Sequence, residues 1–137
     1  MAGSYLNVRI RRVRIIQDGV SAAATYMRIY IVRLSSAGSG GSSQTPAPMI
    51  GTDGSSGATA MSGMTATGGT TVVVGRGGMG LVAAQPINLL NSWEWVADRM
   101  MEAILVPAGT SNGIALQINS LSTATVSVDI DFTETSF

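Results

Sequence analysis

The sequence predicts an all-β protein, a jelly-roll-like β-sandwich with one long loop. Three observations predict this fold class: polar and apolar residues alternate strictly at 123–133, turns divide seven or eight short apolar segments, and no segment reads as a long helix. The chain has 137 residues and a mass of 14.1 kDa, which suits one domain rather than two. We therefore expect a single jelly-roll domain over residues 1–137, with the long loop at about 36–71.

The last strand is the clearest element. Over residues 123–133 every odd position is polar, and the even positions are apolar: Ala124, Val126, Val128, Ile130 and Phe132. A period of two places one face of a strand on the core and the other in solvent. Segments 101–106 and 114–119 are two further strands, with turns at 107–109 and 111–113. These short turns predict that the three strands form an antiparallel meander.

The first strand contains a break in its alternation. Its apolar residues occupy even positions up to Ile10 and odd positions from Val13 onward. A β-bulge at Arg11–Arg12 would restore the register, because it inserts one residue into a strand. With that bulge the face away from the core carries four arginines, here called the arginine row: Arg9, Arg11, Arg12 and Arg14. Guanidinium groups bind carboxylates and phosphates through a planar fork, so this row is a candidate interface.

Charge is segregated along the chain. Residues 1–35 hold six Arg and one acidic residue, whereas residues 94–137 hold six acidic residues and one Arg. We therefore expect the arginine row to contact an acidic neighbour, or this chain's own acidic C-terminal strand. The net charge is zero and the N-terminal half has few aromatic residues, which argues against direct nucleic-acid binding.

The second strand is predicted at residues 25–34. It is apolar on both faces, which places it centrally or between two layers. Further short strands are predicted at 70–74 and 81–84, and the residues between them, Gly75–Gly80, match the pattern G-x-G-x-x-G. A dinucleotide site needs a helix after these glycines, and Pro86 is incompatible with that helix. We interpret the match as a glycine-rich turn.

Residues 87–99 favour a strand or an extended loop over a short helix. Trp93 and Trp95 alternate with Glu94, so an extended backbone puts both indoles on one face. Such a pair packs in a core or at an interface, or it stacks on a sugar or a partner.

The segment at 36–71 differs from the rest of the chain. Nine of its 36 residues are Gly, its only charged residue is Asp53, and it shows no period of 2 or 3.6. A loop of this length inside a compact domain is typically functional or disordered. Its larger apolar residues are candidates for contact with a partner: Met49, Ile50, Met61 and Met64. We expect the segment to be largely mobile in isolation and ordered on that partner.

Composition excludes several classes of chemistry. The chain has no Cys and no His, so it cannot form a Cys/His zinc site, a thiol nucleophile or an imidazole base. Asp129 and Asp131 share one strand face, where they are interpreted as solvated carboxylates rather than a catalytic or metal site. We predict no enzyme activity, no cofactor and no metal. The sequence shows no secretion signal and no apolar stretch long enough to span a membrane, which predicts synthesis in the cytoplasm without a membrane partner.

The chain resembles the small cement or decoration proteins on the heads of tailed bacteriophages, which have a jelly-roll fold. The segments that carry this resemblance are Val13–Gly19, Tyr26–Arg33, Thr45–Pro48, Ala103–Gly109, Gly113–Ile118 and Val126–Phe132.

The resemblance implies a structural virion protein on the outer surface of the capsid. Its partners would be the major capsid protein and further copies of itself, as a homodimer first and a homotrimer second. The candidate interface residues are Arg9, Arg11, Arg12, Arg14, Met49, Ile50, Met61, Met64, Trp93 and Trp95. The alternative is a carbohydrate- or receptor-binding jelly roll of a phage tail or head fibre, with the two Trp rings stacked on sugar.

Overall fold

A computed structural model describes residues 6–19, 25–51, 54–66, 68–69, 71–81, 91–98, 103–119 and 125–135. These residues form nine strands: β1 (Asn7–Gln17), β2 (Thr25–Leu34), β3 (Ser42–Gln44), β4 (Ala60–Ser62), β5 (Thr71–Leu81), β6 (Ser92–Val96), β7 (Ile104–Val106), β8 (Gly113–Asn119) and β9 (Val126–Thr135). No helix occurs within the described ranges, and the strands form packed antiparallel sheets. The prediction of an all-β sandwich is confirmed.

The first sheet is built around β1. Strand β9 pairs with one edge of β1 along its whole length, whereas β6 and β7 share the other edge. The register shifts between Ile10, opposite Phe132, and Arg12, opposite Asp131. Arg11 is therefore the inserted residue, and the predicted bulge is confirmed. The bulge keeps Val8 and Ile10 on the same buried face as Val13 and Ile15, since all four are almost inaccessible to solvent.

The second sheet has the order β5-β2-β8, with β2 at its centre. The inner face of β2 supplies Met27, Ile29 and Ile31 to the core between the two sheets. Its outer face carries Val32 and Leu34, which are also buried. The prediction that β2 lies centrally or between two layers is confirmed, because β2 is the central strand of its sheet and Met64 of the 36–71 segment packs on its outer face.

The predicted C-terminal meander is wrong. Strands β7 and β9 lie on opposite edges of β1, and β8 belongs to the other sheet beside β2. Alternation assigns each strand a buried face but does not select its neighbour, which depends on contacts between distant segments. Strand β7 also begins later than predicted, at Ile104, and residues 101–102 and 123–124 lie outside the described residues.

The predicted glycine turn between two short strands is also wrong. Strand β5 runs without interruption from Thr71 to Leu81 and pairs with β2 through all the glycines. The physical reason is close packing between the sheets: a Cβ built on Gly77 would overlap the indole of Trp93 on β6. The predicted strand residues 82–84 and 70 lie outside the described residues.

The expectation that 36–71 lacks regular structure is wrong for part of the segment. Strands β3 and β4 form a two-stranded antiparallel hairpin, and a bridge between Ser39 and Ala66 extends its base. The prediction of extended structure near the Trp pair is confirmed for β6, whereas 87–90 and Arg99 lie outside the described residues.

Candidate functional site

The most exposed apolar side chains lie at the tip of the β3–β4 hairpin. Met49 is 89% exposed and Ile50 is 62% exposed, and Met61 on β4 is 41% exposed. A Cβ added at Gly51 or Gly54 would meet no atom within 4 Å. The hairpin tip, defined here as residues 45–51 and 54–55, therefore stands clear of the sandwich around Met49 and Ile50.

The base of the hairpin is closed by hydrogen bonds between its own two arms, and one side chain packs it onto the second sheet. The backbone amide of Ser39 donates to the carbonyl of Ala66 at 3.1 Å, and that of Thr65 donates to the carbonyl of Ser39 at 3.1 Å. Met64 packs against the outer-face cluster of Val32, Leu34 and Ala115. Met64 was predicted to contact a partner, but in the structure it anchors the hairpin to its own domain.

The return segment after the tip is held by one carboxylate. The amides of Gly57 and Ala58 donate to the two oxygens of Glu134, Oε2 at 3.2 Å and Oε1 at 2.8 Å. The hydroxyl of Ser56 also donates to Glu134 Oε1, at 3.2 Å. We call this arrangement the Glu134 clamp. It brings Ala58 against the hydrophobic core at the end of the sandwich.

Sequence reasoning missed the Glu134 clamp, although the pattern contained a signal. Extending the alternation of the last strand by one step places Glu134 in the inward-facing row that includes Ile130 and Phe132. A carboxylate in such a row requires hydrogen-bond donors. The sequence pattern could not indicate that a segment some 76 positions earlier supplies them.

Of the arginine row, Arg12 and Arg14 lie on β1 between β9 and β6, and Arg9 lies between β9 and β7. Arg12 contacts Asp131 on β9 at 2.7 Å and Glu94 on β6 at 3.6 Å. In the sheet register Arg14 is opposite Asp129 of β9 on one side and opposite Glu94 of β6 on the other. The sequence left two partners open for this row, an acidic neighbouring protein or the chain's own acidic C-terminal strand. For Arg12 the structure shows the C-terminal strand. Asp131, which shares a strand face with Asp129 in the sequence analysis, is bound to Arg12 in this ion pair.

The two tryptophans lie on the inner face of β6. Both pack against the larger core cluster, and Trp93 also contacts the second cluster beside Met79. Trp93 reaches across to Gly77 on β5, so it closes one side of the sandwich. The sequence left this pair as core or interface residues or as a stacking surface for a sugar or a partner. The structure shows that both rings pack against the core.

The other side of the sandwich is an open groove between β8 and β9. Its volume is about 1170 Å³, and the β3–β4 hairpin borders one part of it. Ile114 and Leu116 of β8 line the groove opposite Val128 and Ile130 of β9. Val128 and Ile130 are 42% and 38% exposed, although they belong to the apolar row of their strand. The sandwich therefore leaves the inner row of β9 only partly covered.

The described residues were also compared with the requirements of a metal site and a membrane span, and the whole chain with known proteins. Among the described residues no three carboxylates lie close enough together to hold a metal ion. The described residues include no helix of the length and apolarity needed to cross a membrane. No protein-family model, curated protein or solved structure matches the chain.

Proposed function

We propose that this chain is a structural virion protein that cements or decorates a tailed-phage head by bridging major capsid protein subunits. We further propose that its sandwich is of the jelly-roll type. The observation that carries the proposal is the exposed apolar tip of an anchored hairpin, with Met49 and Ile50 at its end.

An exposed pair of large apolar side chains on a projecting hairpin supports a protein contact. Contiguous apolar surface held in water is unfavourable, and it marks interaction sites in soluble proteins. Met adapts its shape to an irregular partner surface because its side chain is unbranched and flexible. Each such side chain that becomes buried in a contact contributes about 1.5–3 kcal/mol.

The anchoring of the hairpin supports a contact that does not first need to fold. The Glu134 clamp and the packing of Met64 hold the returning half of the segment, residues 56–64, on the sandwich. Binding therefore does not need to order these residues, and the entropic cost of association is lower than for a free loop. A cement protein gains from this arrangement because it must span a seam between capsid subunits.

The partners follow from the same assignment. The major capsid protein is the target of the tip, and the chain acts on the outer surface of the head as a homodimer, with a homotrimer as the second choice. The carbohydrate-binding alternative requires both Trp rings on an open surface. Trp93 and Trp95 instead pack against the core, so this arrangement favours the cement role.

The test is binding to empty shells assembled from the major capsid protein encoded in the same genome. The double variant Met49→Ser/Ile50→Ser should co-sediment with shells at least ~10-fold more weakly than the native chain, since it loses two apolar contacts. The matched control is Val72→Ser, because Val72 is 57% exposed on β5 and lies outside the hairpin. The control should bind as the native chain does.

Two results would count against the proposal. If the native chain does not sediment with shells, the cement role is wrong. If the double variant binds as tightly as the native chain, the tip is not the contact surface. Titration of the native chain with glycans tests the alternative, and saturable binding there would favour a carbohydrate-binding module.

A further inference from the structure

Strand β9 has an unpaired edge that is long and partly apolar. It pairs with β1 on one side, and no strand in the described ranges pairs with its other side. The other edge strands of the first sheet, β6 and β7, have only five and three residues, whereas the edge strand β5 of the second sheet has eleven, four of them glycines that offer no side chain for cross-strand contact. A long strand edge offers a row of backbone N–H and C=O groups that can pair with another strand. The Glu134 clamp engages only the C-terminal end of β9 and leaves residues 126–130 accessible.

The sequence of β9 is complementary to itself in one antiparallel register. In a dimer with a two-fold axis perpendicular to the sheet, directly opposed residues must lie on the same face. An axis through Val128 sets Val128 against its own copy and Val126 against Ile130 of the second copy. These residues belong to the inner row, where Val128 and Ile130 are 42% and 38% exposed. The pairing would cover the apolar side chains that the groove leaves in solvent.

Charge excludes the registers on one side of this one, and strand length disfavours the other side, because an axis through Ser127 opposes only residues 126–128 of the two β9 strands. An axis through Val128 sets Asp129 against Ser127 of the second copy. An axis through Ile130 instead sets Asp129 against Asp131, and an axis through Asp129 or Asp131 sets that carboxylate against its own copy. Like charges directly opposite each other destabilise a pair of strands. Moving the axis further, to Phe132, sets the Glu134 carboxylate against Ile130, which is also unfavourable.

One of the two acidic residues in the middle of β9 is compensated by an ion pair within the chain. Charged side chains commonly protect an edge strand from pairing. Asp131 is bound to Arg12 at 2.7 Å, and in the selected register it faces Thr125 of the second copy. Asp129 is level with Arg14 of its own chain. The acidic residues therefore disfavour the registers centred on residues 129–131 more than the selected one, in which Asp129 faces a Ser127 hydroxyl that donates to Asp18 of its own chain.

We propose that β9 is the two-fold interface of a homodimer, in which two copies of the first sheet join through antiparallel β9 strands with Val128 on the axis. Closed two-fold dimers are the most frequent oligomers, and they use one self-complementary patch on each copy. The inference adds a surface and a register to the proposed homodimer. It is tested on the isolated chain without shells, so its failure and the failure of the cement role are distinguishable.

Cysteine crosslinking tests the register directly, because the native chain has no Cys. Opposed residues in antiparallel strands have Cα atoms about 4.5–5.5 Å apart, which lies within the range of a disulfide. Val128→Cys should form a covalent dimer on mild oxidation. The matched control is Ile130→Cys, since its side chain has similar exposure. Its two copies would lie four residues apart, about 13 Å, and should not crosslink. A mixture of Val126→Cys and Ile130→Cys chains should crosslink to each other.

Sedimentation velocity of the full chain over micromolar concentrations tests the dimer itself. The native chain should sediment as a dimer, and Val128→Asp should weaken the association at least ~10-fold, because it sets two carboxylates face to face. Val72→Asp, on the exposed part of β5, should leave the association unchanged. The proposal is overturned if the native chain is a monomer throughout this range. It is equally overturned if Val128→Asp dimerises as well as the native chain, or if Ile130→Cys crosslinks with itself in preference to Val128→Cys.

Discussion

The substitution Gly77→Ala tests how closely the two sheets pack, because it adds one methyl group at the contact between them. It lies in the middle of β5, where a Cβ would overlap the indole nitrogen and adjacent ring carbons of Trp93. Gly80 lies in the same strand, and a Cβ there would meet no atom within 4 Å. Neither glycine has a positive φ, so alanine is compatible with the backbone at both positions. The two substitutions differ only in what the new methyl group contacts.

The expected magnitudes follow from this difference. Overfilling a packed core costs about 1–3 kcal/mol, which should lower the stability of Gly77→Ala. Replacing Gly with Ala at an open, compatible site adds about 0.4–1 kcal/mol through the unfolded chain, which should stabilise Gly80→Ala slightly. Both substitutions reduce the backbone freedom of the unfolded chain by the same amount. The difference between their free energies of unfolding therefore measures the cost of the overlap with Trp93. For a chain of this length the midpoint of thermal unfolding changes by roughly 3–5 °C per kcal/mol.

The assay is thermal and urea unfolding of the two variants beside the native chain. A double-mutant cycle with Trp93→Phe, which removes the overlapping part of the ring, should reduce the cost of Gly77→Ala by at least ~0.5 kcal/mol. Equal stability of Gly77→Ala and Gly80→Ala would refute the argument that Trp93 requires glycine at position 77.

Three further predictions concern the core, the clamp and the ion pair. Ile15→Ala should lower the free energy of unfolding by about 2–5 kcal/mol in urea denaturation, because Ile15 is fully buried between the sheets. Glu134→Gln should increase amide hydrogen exchange at residues 57–58 while the exchange of the core strands stays unchanged, since those amides donate to the carboxylate. The coupling between Arg12 and Asp131 in a double-mutant cycle should be only about 0–1 kcal/mol and should fall with added salt, because their side chains are 40% and 31% exposed. A larger coupling that does not respond to salt would contradict the last prediction.

The proposed roles divide the surface of the molecule. In the two proposals the hairpin tip is the capsid contact, with the exposed Met49 and Ile50, and the β9 edge is the contact with a second copy, with Val128 on the axis. Arg12 is engaged by its own acidic neighbours, so it does not carry the capsid contact by charge alone. If these assignments hold, shell binding and dimerisation respond to different substitutions in the same chain.

The local structure was predictable from the sequence where apolar and polar residues alternate, or where the alternation changes parity at one point. Strand β2 lies at Thr25–Leu34 as predicted, and the change of parity between Ile10 and Val13 located the bulge at Arg11. Alternation determines these features because neighbouring residues in a strand point to opposite faces. The outward position of the arginine row on β1 follows from the same rule.

The sequence alone therefore determined the fold class, the faces of the main strands and the bulge. The tertiary structure decided which strands are neighbours, and this is why the predicted meander was wrong. It also decided that Gly77 lies under an aromatic ring from the opposite sheet, and that Glu134 binds the backbone of residues 57–58. Such contacts join segments far apart in the chain, and periodicity carries information only about residues near one another. The edge position of β9 among the described strands belongs to the same class, because a strand is an edge only in relation to where the other strands lie.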